Sequence, residues 1–423
     1  MFILLGTVLL CLPFSTADGK GCSFLNALFT SCSAVCVTGL VVKNTATFWS
    51  PFGKAVILAL IQVGGLGVVT SMIAISIFTG KRIGVRNRNL MQNVVNAPKI
   101  GGIIRFTRFL IIFTATVEII GAVLLMIPFI HDYGVGSGFA KAVFHSISAF
   151  CNAGFDLLGE KTEFISLCGY RSDILINMVI MMLIVMGGLG FMTWEDLLLN
   201  KFRWKKLRVQ TRLAIILSAI LILIPAALFA LLEFQDEEPV TRILMSLFQS
   251  VTTRTAGFNT ADFQTMSEGA RLVMIILMLI GGSSSSTAGG LKTTTVAVII
   301  LAVKSFLRKE KEVNVFERRI SIQIVLEAFT LLLLYMVLLI IGTLIMSTVE
   351  HLPILDSMFE CASALGTVGL SMGITPSLGS ISRIMLILFM YFGRVGGLTL
   401  AYAALSGTRN DVGSFPEERI VVG

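Results

Sequence analysis

A short segment of small and polar residues ending in glycine interrupts the hydrophobic sequence four times, at Val37-Thr38-Gly39, Asn152-Ala153-Gly154, Thr255-Ala256-Gly257 and Thr367-Val368-Gly369. Each closes an apolar stretch of roughly a dozen residues, whereas a helix needs about 20 to cross a bilayer. A half-crossing followed by exposed backbone is the pattern of a re-entrant pore loop. Backbone carbonyls cannot be left unpaired in lipid, so such segments must be buried in protein or line a water-filled path.

The four segments align over their flanks. Ala27-Leu28-Phe29-Thr30, Ala142-Val143-Phe144-His145, Met245-Ser246-Leu247-Phe248 and Ser357-Met358-Phe359-Glu360 precede them in register, and Leu40, Phe155, Phe258 or Leu370 follows the glycine. Downstream of each comes a long apolar stretch with a second glycine mark, at Gly64-Gly65-Leu66-Gly67, Gly187-Gly188-Leu189-Gly190, Gly281-Gly282 and Gly396-Gly397-Leu398. The repeating unit is helix, pore loop, helix. This pattern predicts an all-α polytopic membrane protein whose four repeats stand with pseudo-fourfold symmetry around one ion pore. The repeats cover 1–80, 81–200, 201–310 and 311–408, with a tail at 409–423.

Composition agrees: 55% of residues are hydrophobic and 14% charged, and the mean hydropathy is +0.88. Spanning segments are expected near 1–12, 55–79, 106–130, 174–199, 212–234, 270–306, 321–349 and 381–406. The first supplies only about half of a crossing. A shortened or misassigned start is expected there; a signal peptide is the rival, but no basic residues precede the apolar run.

Basic residues gather between repeats, at Lys81, Arg82, Arg86 and Arg88, at Lys201, Arg203, Lys205, Lys206 and Arg208, and at Lys304, Arg308, Lys309, Lys311, Arg318 and Arg319. The positive-inside rule puts these loops and both termini in the cytoplasm. The net charge of +8 thus reflects topology and needs no nucleic-acid partner, although the same loops can meet anionic lipid of the bilayer. Asp18, Asp132, Glu163, Asp236, Glu237, Glu238 and Glu350 fall on the opposite side, where they would concentrate cations. Seven cysteines and three histidines offer no metal-ligand spacing and no disulfide framework.

Four re-entrant segments on one axis form an ion filter in which carbonyl oxygens replace a cation's hydration shell. The filter residues are Cys36, Val37, Thr38 and Gly39, then Asn152, Ala153 and Gly154, then Thr255, Ala256 and Gly257, then Thr367, Val368 and Gly369. Each preceding short helix turns its partly negative C-terminal end to the axis.

Symmetry breaks in two places. The stretch from Ala270 to Phe306 is too long for one crossing, and its middle reads Gly281, Gly282, Ser283, Ser284, Ser285, Ser286, Thr287, Ala288, Gly289, Gly290, Leu291 and Lys292. Glycine and serine weaken helix, so a break into two halves joined by an intramembrane gating loop, 281–291, is expected under the filter. Arg394 lies deep in the last apolar stretch, where Gln62, Val185 and Leu279 align with it. An intramembrane arginine faces a cavity or backbone carbonyls. Bonding to the loop would satisfy it, and its charge would oppose cation passage while the loop is closed. Lys292 is expected to pair with the loop or to face the vestibule. Glu118 reads as a paired buried carboxylate or part of a coupling-ion site, and Arg254 as a prop behind the third filter segment.

With filter, broken helix and deep arginine in place, the chain resembles the Trk/Ktr/HKT superfamily of cation transporters, most closely its bacterial Ktr-type potassium-translocating subunits. The resemblance rests on the four filter segments, the Ser/Thr/Gly run before Lys292, and Gly393-Arg394. In that family glycine at all four filter positions is associated with potassium, and serine at the first with sodium permeation. The resemblance therefore implies potassium as the transported ion, sodium as an activating ion, and no organic cofactor in this chain. It also implies a homodimer in a bacterial inner membrane on a cytoplasmic ring of RCK subunits of the KtrA/KtrC kind that bind ATP or ADP. The tail from Phe415 would help hold the dimer. A sodium-permeable or nonselective member of the superfamily is the alternative function. A serine hydrolase is the enzyme-class alternative, but a serine nucleophile needs a positioned base; His131 and His351 are expected outside and His145 in a pore helix. A non-transporting subunit is the third class.

Overall fold

The computed structural model describes residues 1–67, 103–160, 162–310 and 312–396. The expected basic residues 81–88, Lys311, the glycine mark at Gly397 and Leu398, and the tail 409–423 lie outside the described residues.

The first repeat comprises helix α1 (Phe2–Cys11), pore helix α2 (Phe24–Val35), a single turn α3 (Thr45–Phe48) and α4 (Pro51–Leu66). The helical run α5 (Ile103–Phe150) holds both the span and the pore helix of the second repeat, which continues with α6 (Ile174–Gly188) and α7 (Phe191–Leu199). Sequence reading ended that span at 130. The run continues because the two parts meet at a bend at Gly134 (φ 77°, ψ 169°) rather than through a loop. The third repeat has span α8 (Val209–Leu232), pore helix α9 (Pro239–Thr252), α10 (Glu268–Leu279) and α11 (Thr293–Leu307). A hairpin of β1 (Val313–Val315) and β2 (Arg318–Ile320) leads to the fourth repeat: span α12 (Ile322–Glu350), pore helix α13 (Ile354–Gly366) and α14 (Ser380–Val395).

Among the described residues, three helices are long and apolar enough to cross a membrane: α5, α8 and α12. The break expected in the second helix of the third repeat is present, between Leu279 and Thr293, whereas the continuous second helices expected in the other three repeats are corrected. α6 and α7 meet at 90°, α4 ends at Gly67 (φ 84°, ψ 138°), and α14 ends at Gly396 (φ 93°, ψ 123°). Gly190, between α6 and α7, has nearly the same backbone (φ 88°, ψ 141°). Such positive φ is open to glycine and costly for other residues, so the last glycine of these marks is a helix break.

The second helices start on matching caps. The amides of Gly53, Ile176 and Ala270 donate to the side chains of Ser50, Asp173 and Ser267 at 3.2, 2.9 and 3.2 Å, satisfying donors a helix start leaves unpaired. In the fourth repeat Glu350 accepts from the Gly379 amide at 2.9 Å. Pore helices are buried on all sides near their ends: every residue from Phe29 to Val35 and from Phe359 to Gly366 is buried. The most apolar windows of α8 and α12, by contrast, are only 28% and 22% buried. Pore helices thus sit inside a ring of lipid-facing spans.

Candidate functional site: a four-segment ring and the loop beneath it

All four segments share one backbone pattern. Val37, Asn152, Thr255 and Thr367 have φ between 50° and 69°, and two residues later Gly39, Gly154, Gly257 and Gly369 have φ between 68° and 92°. The left-handed region is unfavourable for β-branched residues, and a non-glycine residue held there costs about 1–3 kcal/mol. Valine and threonine in this conformation mark a geometry imposed by the assembly.

The glycines close a ring. A Cβ added to Gly39 would strike the Ala153 carbonyl, one on Gly154 would lie 2.8 Å from the Ala256 carbonyl, one on Gly257 2.5 Å from that of Val368, and one on Gly369 would strike that of Thr38. Each repeat therefore abuts the next, and the fourth returns to the first. At Gly257 the added atom would also lie 3.0 Å from Gly154 Cα and 3.4 Å from Gly369 Cα. It would stand over the axis, between two neighbouring segments. The hydroxyls of Thr38, Thr255 and Thr367 are buried without a hydrogen-bond partner. Cys36 and Cys151 turn aside: the Cys36 sulfur lies 3.8 Å from that of Cys32 and the Cys151 sulfur 3.6 Å from Gln62 Oε1, so these two bring only main chain to the ring.

Pore-helix side chains hold the segments. Ser33 and Ser363 accept from the amides of Gly39 and Gly369 at 3.1 and 3.0 Å, while Ser148 and Thr252 donate to the carbonyls of Phe155 and Phe258. The third repeat uses Thr252, one position later than its counterparts, because Val251 occupies the aligned place. Sequence reading missed two further anchors. Glu360, wholly buried, accepts from Met372 N at 3.1 Å and Thr375 Oγ1 at 2.9 Å, and also from the Ser371 hydroxyl. His145 occupies the aligned position and meets Leu157 N at 3.4 Å through Nε2 while Nδ1 donates to Lys141 O at 2.7 Å. Met372 and Leu157 both stand three residues after their glycines. The fourfold alignment carried the signal, but Thr30 and Phe248 at that position are chemically unlike Glu360.

Beneath the ring, the chain is non-helical from Ile280 to Lys292. The base of this loop is closed by Gly281 N donating to Leu291 O at 2.8 Å and Thr293 N to Gly282 O at 3.0 Å. The loop is tied to the second repeat: Ser283 N and Thr287 N donate to Gly188 O and Gly187 O at 2.9 and 3.3 Å, and Thr287 Oγ1 to Phe150 O at 3.1 Å. A Cβ on Gly289 would collide with the Thr367 hydroxyl, so the loop packs directly under the fourth segment of the ring. Ser284 bonds Thr294 at 2.9 Å, whereas the hydroxyls of Ser283 and Ser286 have no partner. Lys292 Nζ donates to Ala288 O at 2.7 Å.

The Arg394 guanidinium donates to the carbonyls of Thr287 and Gly64, and to Gly65 O at 3.3 Å. It thereby joins the loop to the broken end of α4. The alignment of Arg394 with Gln62, Val185 and Leu279 is corrected. Gly396 matches Gly67 and Gly190 in backbone, and Gly393 abuts Leu365 O as Gly64 abuts Val35 O and Gly187 abuts Phe150 O. Arg394 therefore corresponds to Gly65 and Gly188. The error came from matching Gly396-Gly397-Leu398 to the other glycine pairs, when the second glycine of the pair is here replaced by Arg394 itself.

Glu118 accepts from Gln62 Nε2 at 3.1 Å, with the Cys151 thiol at 3.9 Å; its partners are neutral. Arg254, expected as a prop behind the third segment, lines a small cavity with Ile184, Val185 and Gly188, and its Nε is buried without a hydrogen-bond partner.

The geometry defines a class: a membrane protein of four helix, pore-loop, helix repeats around one axis. Comparison supports a narrower statement. The family described as TrkH, Cation transport protein, matches residues 3–409. Ktr system potassium uptake protein B of Bacillus subtilis is 38% identical, with all of this chain and 94% of the relative covered. Potassium/sodium uptake protein NtpJ of Enterococcus hirae is 36% identical, covering all of this chain and 95% of its own length. The potassium transporter TrkH from Vibrio parahaemolyticus has the same fold, with a TM-score of 0.75 at 22% identity over 96% of this chain and 84% of that one. The chain belongs to the TrkH family of cation transport proteins, and within it resembles Ktr-system subunits. The family transports cations and is not one of enzymes.

Proposed function

We propose that the chain takes up potassium across the inner membrane of a bacterium through the four-segment ring. The single observation that carries this reading is the cyclic closure of Gly39, Gly154, Gly257 and Gly369, each against the carbonyl preceding the next glycine. A dehydrated cation needs several oxygens held at fixed distance, and carbonyls of Thr38, Ala153, Ala256 and Val368 supply one layer of them. The left-handed residues Val37, Asn152, Thr255 and Thr367 hold the peptide planes that aim them. The ion then meets the 281–291 loop. With that loop tied to Gly187, Gly188 and Arg394, the path is closed and a fixed positive charge opposes the ion. Withdrawal of the loop opens it.

By charge distribution the basic loops and both termini face the cytoplasm, and the filter faces outward. The working form is a homodimer on a nucleotide-binding RCK ring, with sodium as a stimulating ion. The Ktr-system relative supports a partner subunit, since its name describes a system. Rubidium uptake in cells stripped of their own potassium uptake, with and without an RCK subunit and with and without sodium, tests each part. Uptake that prefers potassium and rises with the partner is expected; a well-expressed protein that moves neither ion overturns the reading.

A second reading, sodium permeation, is favoured by one observation: a relative at 36% identity is named a potassium/sodium uptake protein. Equal rubidium and sodium uptake by the unaltered chain would establish it.

A further inference from the structure

The face bearing the basic loops contains a concavity of roughly 800 Å³ between the turn leading into α8 and the tip of the β1–β2 hairpin. Lys205, Lys206, Arg208, Arg212 and Arg318 line it together with one carboxylate, Glu317, and Arg208 is paired with buried Asp196 at 3.8 Å. The turn is built. Buried Asp196 accepts from Asn200 Nδ2 and from the Arg208 amide, both at 2.9 Å, which fixes the loop carrying Lys205 and Lys206. The α8 start has no capping side chain, with Arg208 at the cap, so its free amides add to the positive field.

The hairpin tip is held in an unusual conformation. Phe316 and Glu317 have φ of 46° and 61°, the left-handed pair of a two-residue hairpin where Asn-Gly or Asp-Gly is the favoured sequence. An aromatic residue there is held against its own preference, at a cost of about 1–3 kcal/mol. The Phe316 ring stacks 5.4 Å from the Arg212 guanidinium, and Arg212 donates to Lys205 O at 2.5 Å while its Nε stays unpaired. Lys205, Lys206 and Arg318 make no ion pair with any described residue.

Below Arg212 the same face of α8 continues at four-residue spacing. Ile216, Ile220 and Ile224 are 38%, 44% and 63% exposed, and Leu223 beside them 62%. Residues four apart share a helix face. A phosphate-bearing ligand at the concavity would therefore have an apolar track leading away from it into the bilayer. A soluble phosphate would use the basic end alone.

We infer that this concavity binds the headgroup phosphate of an anionic phospholipid, with an acyl chain along Ile216, Ile220 and Ile224. The inference rests on the chain's membrane embedding and not on the gating reading, so ion uptake and lipid retention fail independently.

The test is native mass spectrometry of the full-length protein, delipidated in detergent and titrated with phosphatidylglycerol or phosphatidylcholine. A K205Q/K206Q/R318Q variant removes three charges, each worth about fivefold near an anionic surface. Loss of about a hundredfold in phosphatidylglycerol affinity is expected by the same reckoning, with phosphatidylcholine unchanged. The charge-keeping K205R/K206R/R318K variant should bind as the wild type does, which separates lost charge from lost fold. I220W, which fills the apolar track without touching the charges, should weaken phosphatidylglycerol but not inorganic pyrophosphate. Equal retention of the two lipids by the wild type, or of phosphatidylglycerol by the wild type and the neutralised variant, overturns the proposal. So does pyrophosphate binding in the absence of any phosphatidylglycerol binding, which would assign the site to a soluble anion.

Discussion

Glu360 is the residue on which the turn after the fourth segment hangs. Its carboxylate gathers one amide and two hydroxyls, and an unpaired buried donor costs about 1–3 kcal/mol. Glu360→Ala strands the Met372 amide and leaves the Ser371 and Thr375 hydroxyls only each other, at 2.9 Å, and should lower the rubidium-over-sodium uptake ratio. Glu360→Gln keeps an oxygen for Met372 N, and both hydroxyls can turn, so it should retain most of the selectivity. An unaltered ratio in the alanine variant would remove Glu360 from the filter's support. At Gly39 the prediction runs through the backbone. Its φ of 92° and the adjoining Ala153 carbonyl leave no place for a side chain without movement of the second segment. Gly39→Ser should therefore widen the ring and raise sodium uptake relative to rubidium; an unchanged ion preference would mean that the ring does not set selectivity. Residue chemistry made the four segments legible in the sequence, because left-handed backbone requires glycine at the same place four times. The anchors were not legible in the same way. Glutamate and histidine do one job at Glu360 and His145 by different bonds, so a repeat alignment sees only dissimilarity.

At the level of elements, hydropathy located the apolar segments but could not see where they bend. A right-angle turn between α6 and α7 leaves the composition of 174–199 unchanged, and only the glycine at position 190 betrays it. There, φ is 88° and an added Cβ would lie 2.5 Å from Ser284 O. Gly190→Ala should destabilise the protein by about 1–3 kcal/mol and disturb the loop it touches, lowering the melting temperature in detergent. Gly269, in α10 with only Ser267 Oγ at 3.9 Å, serves as the control: alanine there should be neutral or stabilising by up to about 1 kcal/mol. Equal effects at the two sites would contradict the assignment of Gly190 as an obligatory break. The loop was legible because a serine and glycine run cannot hold a helix. Its bond to Arg394 was legible as well, because a deep arginine needs carbonyls to satisfy it; its ties to the second repeat were not, since the carbonyls of Gly187 and Gly188 carry no side-chain signature. If the loop is the gate proposed above, Arg394→Gln removes the charge fastening it while leaving an amide to reach Thr287 O. Rubidium flux should rise with ion preference intact, and a shortened 283–288 loop should do the same in a folded protein. Unchanged flux in both would show that the loop is not the gate.

The whole molecule differs from pores assembled out of separate subunits in that one chain supplies all four segments. Repeats thus became free to diverge: the loop sits in the third, the arginine in the fourth, and carbonyls of the first and second receive them. Gly39 abuts the second repeat, Gly154 the third, Gly257 the fourth, and Gly369 the first, so the ring is complete without a second copy. This closure makes a prediction about mixtures. A bulky residue at Gly257 would stand over the axis, and Gly257→Leu should abolish uptake through its own chain. When wild type and Gly257→Leu are co-expressed at varied ratios, rubidium uptake should fall in simple proportion to the wild-type share, even where the two chains pair as dimers. Were the pore built from segments of several copies, each poisoned copy would silence its partners and uptake would fall much more steeply. Proportional loss is the outcome the cyclic contacts require, and steep loss would mean that the ring of glycines in one chain is not the conducting path.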